Sequence, residues 1–335
     1  MTVVEELHAS HGARFETRGD RTVVADYGRP VRTLRAVRNV VGTIEMAYGI
    51  LAVSKSHRTA LETVLSEPVP DDDRQGVYTL IIDGEGALVA DAYAYVTPDR
   101  LLLFVPPGRE MSVKRVVPCS ARLITSDLGV FGVHGPKATE KIASVLHGTG
   151  APDEILSFVR GELRDAGVTV IRSDNLPGEE GYEIVCSAEV ANDVFDALIT
   201  LGLNATPFGH STWETLTLEA GTPLFDPDLR TLWPANPCLG NVGLDRNSPC
   251  RLYGVSLEGL APNGATIVQE ESSGLITRAV ESPIRGHPIG FAVLDPSGGA
   301  IEGVKNDGQL MASDIESLPF VSGSGQSKRT PDHKL

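Results

Sequence analysis

The segment VYTLIIDGEGALVADAYAY, residues 77–95, reads as a β-hairpin. Val77–Ile82 is apolar and β-branched, Asp83-Gly84-Glu85-Gly86 supplies turn residues, and Ala87–Val96 is the return strand. Alternation along that strand puts Val89, Asp91, Tyr93 and Tyr95 on one face. Leu88, Ala90, Ala92 and Ala94 fall on the other. If the first face meets water, Asp91 is an ordinary solvated acid. If it lines a cavity, Asp91 is a carboxylate in an aromatic pocket, with a shifted proton affinity. The pattern leaves both open, and taken alone it favours the solvated acid.

Around the hairpin, Leu34, Val37 and Val41 have helical spacing, and Ile50–Val53 is a short apolar run. Ser56 is placed to cap a helix through Leu65, and Leu101–Val105 reads as a strand. Val130–Val133 leads to His134-Gly135-Pro136 and a helix to about His147. Val168–Arg172 and Tyr182–Cys186 read as strands around the loop Ser173–Gly181. Ser187 opens an amphipathic helix to Gly202, and Ser211-Thr212-Trp213-Glu214 is a capping-box pattern for a helix ending at Gly221. After about Arg246, short apolar runs alternate with Gly, Pro and Asn turns, as in a small β-barrel or sandwich. The closing SGSGQSKRTPDHKL is polar and Gly/Ser-rich, the composition of a disordered tail over 322–335.

The chain has 335 residues, 41% of them hydrophobic, enough for two or three packed units. No stretch has the ~20 consecutive apolar residues of a membrane helix. The first residues are charged with no apolar core, so a cytoplasmic location with no membrane association is expected. Net charge is −15 with the acids dispersed, which argues against a nucleic-acid partner, since that requires a basic face. The cysteines Cys119, Cys186, Cys238 and Cys250 form no CxxC pair. The histidines show no HxH or HxxxH spacing, so no metal site is expected. Neither a GxGxxG turn, a P-loop nor a GxSxG elbow occurs.

A second acid stands in Gly178-Glu179-Glu180-Gly181-Tyr182-Glu183, where Glu183 enters an apolar strand. Read by itself it is a strand-edge charge facing solvent. Gly178 and Gly181 permit a tight turn or a close backbone approach.

Together with the hairpin, the segments FGVHGPKA, GEEGYEIV, WETLTLEAGTPLF, NPCLGNVGLD, GLITRAVESP and ASDIESLPFV occur in this order over roughly residues 30–321. In sequence and order they resemble the folate-binding one-carbon transferase family typified by the glycine cleavage T-protein. The resemblance implies an α+β fold: two α/β subdomains forming a folate-binding body with a central hole over residues 1–246, then a C-terminal β-barrel over 247–321. It implies tetrahydrofolate as cofactor, with a reduced folate, and in the T-protein form a lipoylated carrier protein, as partners. Asp91 matches the family's catalytic aspartate and Glu183 a pterin-binding glutamate; Tyr95 and Tyr78 match aromatic positions beside the pterin.

The chain also departs from the family pattern. Trp213 stands where an arginine pairs with the folate tail, so it becomes the altered wall of the cofactor site. Leu176 replaces a tyrosine, Lys55 a glycine, and a GDFIGRE-like segment is missing around Asp245–Pro249. The implied activity is aminomethyltransferase-like. The alternatives are a folate-dependent demethylase of a small substrate, and a non-catalytic folate binder of the iron–sulfur assembly type, whose KGCYxGQ motif is lacking here.

Overall fold

In a computed structural model the protein is described over residues 2–19, 21–232, 250–306 and 308–331. Cys238, the segment NPCLGNVGLD, the run Asp245–Pro249 and residues 332–335 lie outside the described residues. The chain forms two compact units: residues 1–175 with 179–213, and residues 176–178 with 214–335.

The first unit holds two large sheets. In the five-stranded antiparallel sheet the order is Gln75–Ile82, Leu88–Val96, Arg100–Val105, Gly49–Ser54, Ala121–Leu123. The hairpin turn closes on Asp83, whose Oδ1 accepts from the Glu85 and Ala87 amides at 2.9 and 2.8 Å. Tyr95 then pairs across the ladder with Gly76, where any Cβ would collide with the tyrosine ring. Glycine there makes room for an aromatic.

The seven-stranded sheet runs Leu146–His147, Phe158–Leu163, Ala166–Arg172, Gly181–Ser187, Leu128–His134, Gly42–Glu45, Thr206–Pro207. Only the last pairing is parallel. Alternation along Gly181–Ser187 sends Tyr182, Ile184 and Cys186 into a core. There they meet Ile142 and Val145 of helix Ala138–Val145, and Val194, Phe195 and Leu198 of helix Ala191–Thr200. Glu183 and Val185 therefore point to the opposite face.

Three element ends differ from the sequence reading, two of them because a strand pairing competes with the helix. The helix expected from Ser56 to Leu65 spans only Arg58–Glu62, after a tight turn at Lys55–His57. Its last residues leave to bond the hairpin edge, Ser66 N to Leu80 O and Ile82 N to Val64 O, both 2.9 Å. The helix expected to reach His147 stops at Val145, because Leu146–His147 pairs with Phe158–Leu163. The later helix begins at His210, so Ser211 lies in its first turn instead of capping it.

The second unit is dominated by another seven-stranded sheet. Its order is Gln309–Met311, Ile301–Asn306, Thr266–Gln269, Ser273–Ser282, His287–Leu294, Arg251–Leu257, Ser313–Glu316. Ser313–Glu316 also lies against Ile301–Asn306, so the sheet nearly closes as a barrel around Val255, Ile267, Ile276, Ala292 and Val304. A buried cation ties the rest of this unit to the barrel. Arg278 pairs with Asp228 at 3.0 Å and donates to Glu214 O, Thr217 Oγ1 and Thr222 O. Asp228 also accepts from Thr277 Oγ1 at 2.7 Å and Leu224 N at 2.9 Å. The polar stretch 322–331, whose composition reads as a disordered tail, is among the described residues, and Ser327, Arg329 and Thr330 are buried in it. Backbone bonds such as Gly325 N to Gly178 O, at 3.2 Å, hold it without apolar side chains.

Candidate functional site

Asp91 sits mid-strand and is 2% exposed, so its face of the hairpin is interior and not solvated. Both faces of this strand are buried, because Ala90, Ala92 and Ala94 pack on the other side. Asp91 lies opposite Leu80, and Tyr78 opposite Tyr93, which makes Tyr78 the diagonal neighbour of Asp91. The Tyr78 hydroxyl donates to Asp91 Oδ2 at 3.0 Å.

From Asp91 a chain of rings leads to the second acid. The Tyr78 and Tyr93 rings are 5.4 Å apart, and Tyr93 and Tyr95 stack at 6.5 Å. Tyr95 meets Phe104 edge-on at 5.2 Å, and Phe104 meets Tyr48 at 5.6 Å. The Tyr48 hydroxyl donates to Glu183 Oε1 at 2.7 Å. Burial, then the charge of Glu183, holds the Tyr48 phenol well above its ordinary range, so it remains a donor.

Glu183 is also 2% exposed. Its strand lies inside the sheet, where Glu183 is opposite Ile171 on one side and Gly132 on the other. The solvent-facing edge position read from the local sequence is therefore corrected: long-range pairing puts this residue in the centre of a sheet. The other two acids of the segment have structural partners. Glu179 meets Arg38 at 3.2 Å, and Glu180 accepts from Thr139 Oγ1 at 2.7 Å.

Gly181 is needed for close packing against a side chain of the protein itself. A Cβ there would strike the His134 ring and come within 2.6 Å of Ser173 Oγ. His134 is fully buried, and burial, then the Arg172 charge, pushes it down to about 3, so it is neutral. Trp213 packs on it, ring centres 5.1 Å apart, and is 5% exposed. The structure thus brings Asp91, Tyr78, Tyr95 and Glu183 into one contiguous array. It puts Trp213 against His134, whose ladder partner is Gly181.

The sequence reading missed Tyr48 and Phe104. The available signal was slight: a Tyr-Gly pair just before the apolar run Ile50–Val53. Among the described residues no cluster of three or more His, Cys, Asp or Glu side chains is arranged to hold a metal, and no helix is long and apolar enough to cross a membrane.

Two buried carboxylates, each accepting from a tyrosine and separated by aromatic rings, make an acceptor-rich site with apolar walls. A carboxylate is an acceptor for ring N–H or amine donors, and an aromatic face is a surface on which flat groups stack. Fold and site together define an α+β protein with two buried acids joined by a run of aromatic rings.

Residues 4–235 match the family described as the GCVT N-terminal domain, and the chain belongs to that family. It is 27% identical to an aminomethyltransferase of Cutibacterium acnes, with 96% of this chain and 98% of that protein covered. It is 26% identical to an aminomethyltransferase of Mycobacterium tuberculosis, covering 95% and 96%. The crystal structure of the glycine cleavage system aminomethyltransferase T from Bartonella henselae has the same fold. Its TM-score is 0.80 at 17% identity, covering 97% of this chain and 99% of that one.

Proposed function

We propose that the protein is a tetrahydrofolate-dependent one-carbon transferase of the aminomethyltransferase kind. The observation that carries this reading is the burial of Asp91 beside tyrosine rings, from which a chain of rings leads to a second buried acid, Glu183. Family membership and the aminomethyltransferase relatives support it.

The donor set fits a reduced folate. Glu183 is an acceptor for the N–H edge of a pterin, and Tyr95 and Tyr78 flank the ring. Tetrahydrofolate, when bound, supplies the amine nitrogen that accepts the one-carbon unit. Asp91 orients that amine and holds positive charge beside it as transfer proceeds. Tyr78, through its 3.0 Å hydrogen bond, fixes the Asp91 carboxylate in one rotamer. The surrounding rings exclude water, which strengthens the carboxylate's field at the reacting nitrogen. The donor we propose is an aminomethyl group bound through sulfur to the dihydrolipoyl arm of a carrier protein: its methylene carbon would form bonds to the folate nitrogens as its C–N and C–S bonds break, releasing ammonia and the free dihydrolipoyl thiol.

The test is turnover. Purified protein, tetrahydrofolate and an aminomethyl-lipoyl donor are expected to release ammonia and form methylene-folate in equal amounts. Ammonia release that continues unchanged without folate rejects the reading.

A further inference from the structure

The first unit contains a cavity of about 740 Å³ whose lining includes neither Asp91 nor Glu183. Its wall is mostly apolar, with Tyr95, Phe104, Phe158, Ile171 and Val185 contributing. The volume lies within the ~300–1,000 Å³ typical of small-molecule sites. The two sheets form its sides. Thr97 continues the face of Asp91, Tyr93 and Tyr95, and Val185 continues the face of Glu183.

Aromatic rings line this space on the Asp91 side. Tyr95 touches Tyr93 on the Asp91 side, and meets Phe104 at 5.2 Å and Phe158 at 6.2 Å, both of which line the cavity. All three of these wall rings are buried.

Charge at the mouth gives the cavity a sign. Arg160 and Arg100 line it together with Asp99. Arg100 and Asp99 neutralise one another through a bond from Arg100 Nε to Asp99 Oδ2 of 2.7 Å. Arg160 is exposed, and its guanidinium makes no hydrogen bond or ion pair with any described residue. It projects from the strand Phe158–Leu163, where its ladder partner is Thr169, and Thr169 in turn pairs with Val185. Glu162 is next along that face and is not part of the lining. The lining thus carries two cations and one anion, in a protein whose net charge is −15.

We propose that this cavity is a second binding site, for a small amphipathic carboxylate the size of an aryl or medium-chain acid. The apolar body lies against Tyr95, Phe104 and Phe158, and the carboxylate pairs with Arg160. The guanidinium fork suits a carboxylate bidentately, and the apolar wall rejects a fully hydrated anion. This site stands whether or not the protein binds folate.

The probes are 3-phenylpropanoate and its neutral amide, 3-phenylpropanamide, titrated calorimetrically into the full chain. The acid is expected to bind saturably at one site, at least about tenfold more tightly than the amide. Arg160→Gln brings the acid down to the level of the amide, and being on the surface it leaves the melting temperature unchanged. Asp99→Asn frees Arg100 and tightens acid binding severalfold. Gly167→Phe plugs the mouth and abolishes both ligands; Gly167 lines the cavity, and a Cβ there meets nothing within 4 Å. No saturable binding of the acid, equal binding of acid and amide, or an unchanged affinity in Arg160→Gln overturns the proposal. Competitive displacement of the acid by tetrahydrofolate also overturns it, because the acid then occupies the Asp91 site.

Discussion

Tyr48→Phe isolates the contact that ties Glu183 to the aromatic array. The substitution keeps the ring, and with it the 5.6 Å packing on Phe104, and removes only the hydroxyl that donates to Glu183 at 2.7 Å. A hydrogen bond to a charged group contributes about 1.5–3 kcal/mol. The acceptor is 2% exposed, so water is poorly placed to replace the lost donor. We expect a loss of about 2 kcal/mol, which in a unit of this size lowers the melting temperature by roughly 4–8 °C. Glu183→Gln removes the charge as well as its desolvation cost, so the double variant is expected to be more stable than the sum of the singles by about 1–2 kcal/mol. Urea unfolding with an unchanged slope, alongside calorimetry, measures both. A Tyr48→Phe protein within about 0.5 kcal/mol of wild type, at unchanged slope, refutes the inference that this bond organises the site.

Four further outcomes are expected. Asp91→Asn keeps the acceptor for Tyr78 and the fold, and lowers one-carbon transfer by about 10²-fold with little change in melting temperature; steady-state kinetics reads this. Arg278→Met strands Asp228 in the core of the second unit and costs about 3–5 kcal/mol, with much of that recovered when Asp228→Asn is added; urea titration of both proteins checks it. His134 and His210 are both pushed down from 6.5 to about 3, chiefly by burial, so the unfolded chain takes up protons first as pH falls. Their contribution to stability is complete above pH 6.5 and is lost between 6.5 and about 3; His134→Gln is expected to flatten that part of a melting-temperature profile against pH. Trp213 offers one N–H and no charge where an arginine would grip a folate tail, so affinities for tetrahydrofolate and a tail-less tetrahydropterin are expected to agree within about threefold. A strong preference for the tailed form, measured by titration, contradicts that reading of Trp213.

The hairpin at residues 75–96 was legible because a two-residue period and a Gly-rich turn are local signals. The burial of Asp91 was not, because alternation assigns residues to faces without saying which face is covered. Here both are. Glu183 has the same history: its neighbours in sequence suggest an edge, and only pairing with Ile171 and Gly132 centres it in a sheet. Tyr48 lies 135 residues from the carboxylate it serves, a distance at which no motif operates. Helix ends were misread where residues 64–66 and Leu146–His147 are taken into strand pairings. The strands Gln309–Met311 and Ser313–Glu316 are too short and polar to show a period, yet the second brings the barrel close to closure.

The central claim is that Asp91 and Glu183 together hold a reduced folate. Calorimetric titration of tetrahydrofolate into wild type, Glu183→Gln and Asp91→Asn, with melting temperature followed in parallel, tests it most directly. The account predicts saturable one-site binding and a raised melting temperature in wild type. It predicts a loss of about tenfold or more in affinity for Glu183→Gln, and retained binding for Asp91→Asn, whose one-carbon transfer is slower by about 10²-fold. Absence of both heat and thermal stabilisation in the wild-type protein, up to millimolar tetrahydrofolate, contradicts it.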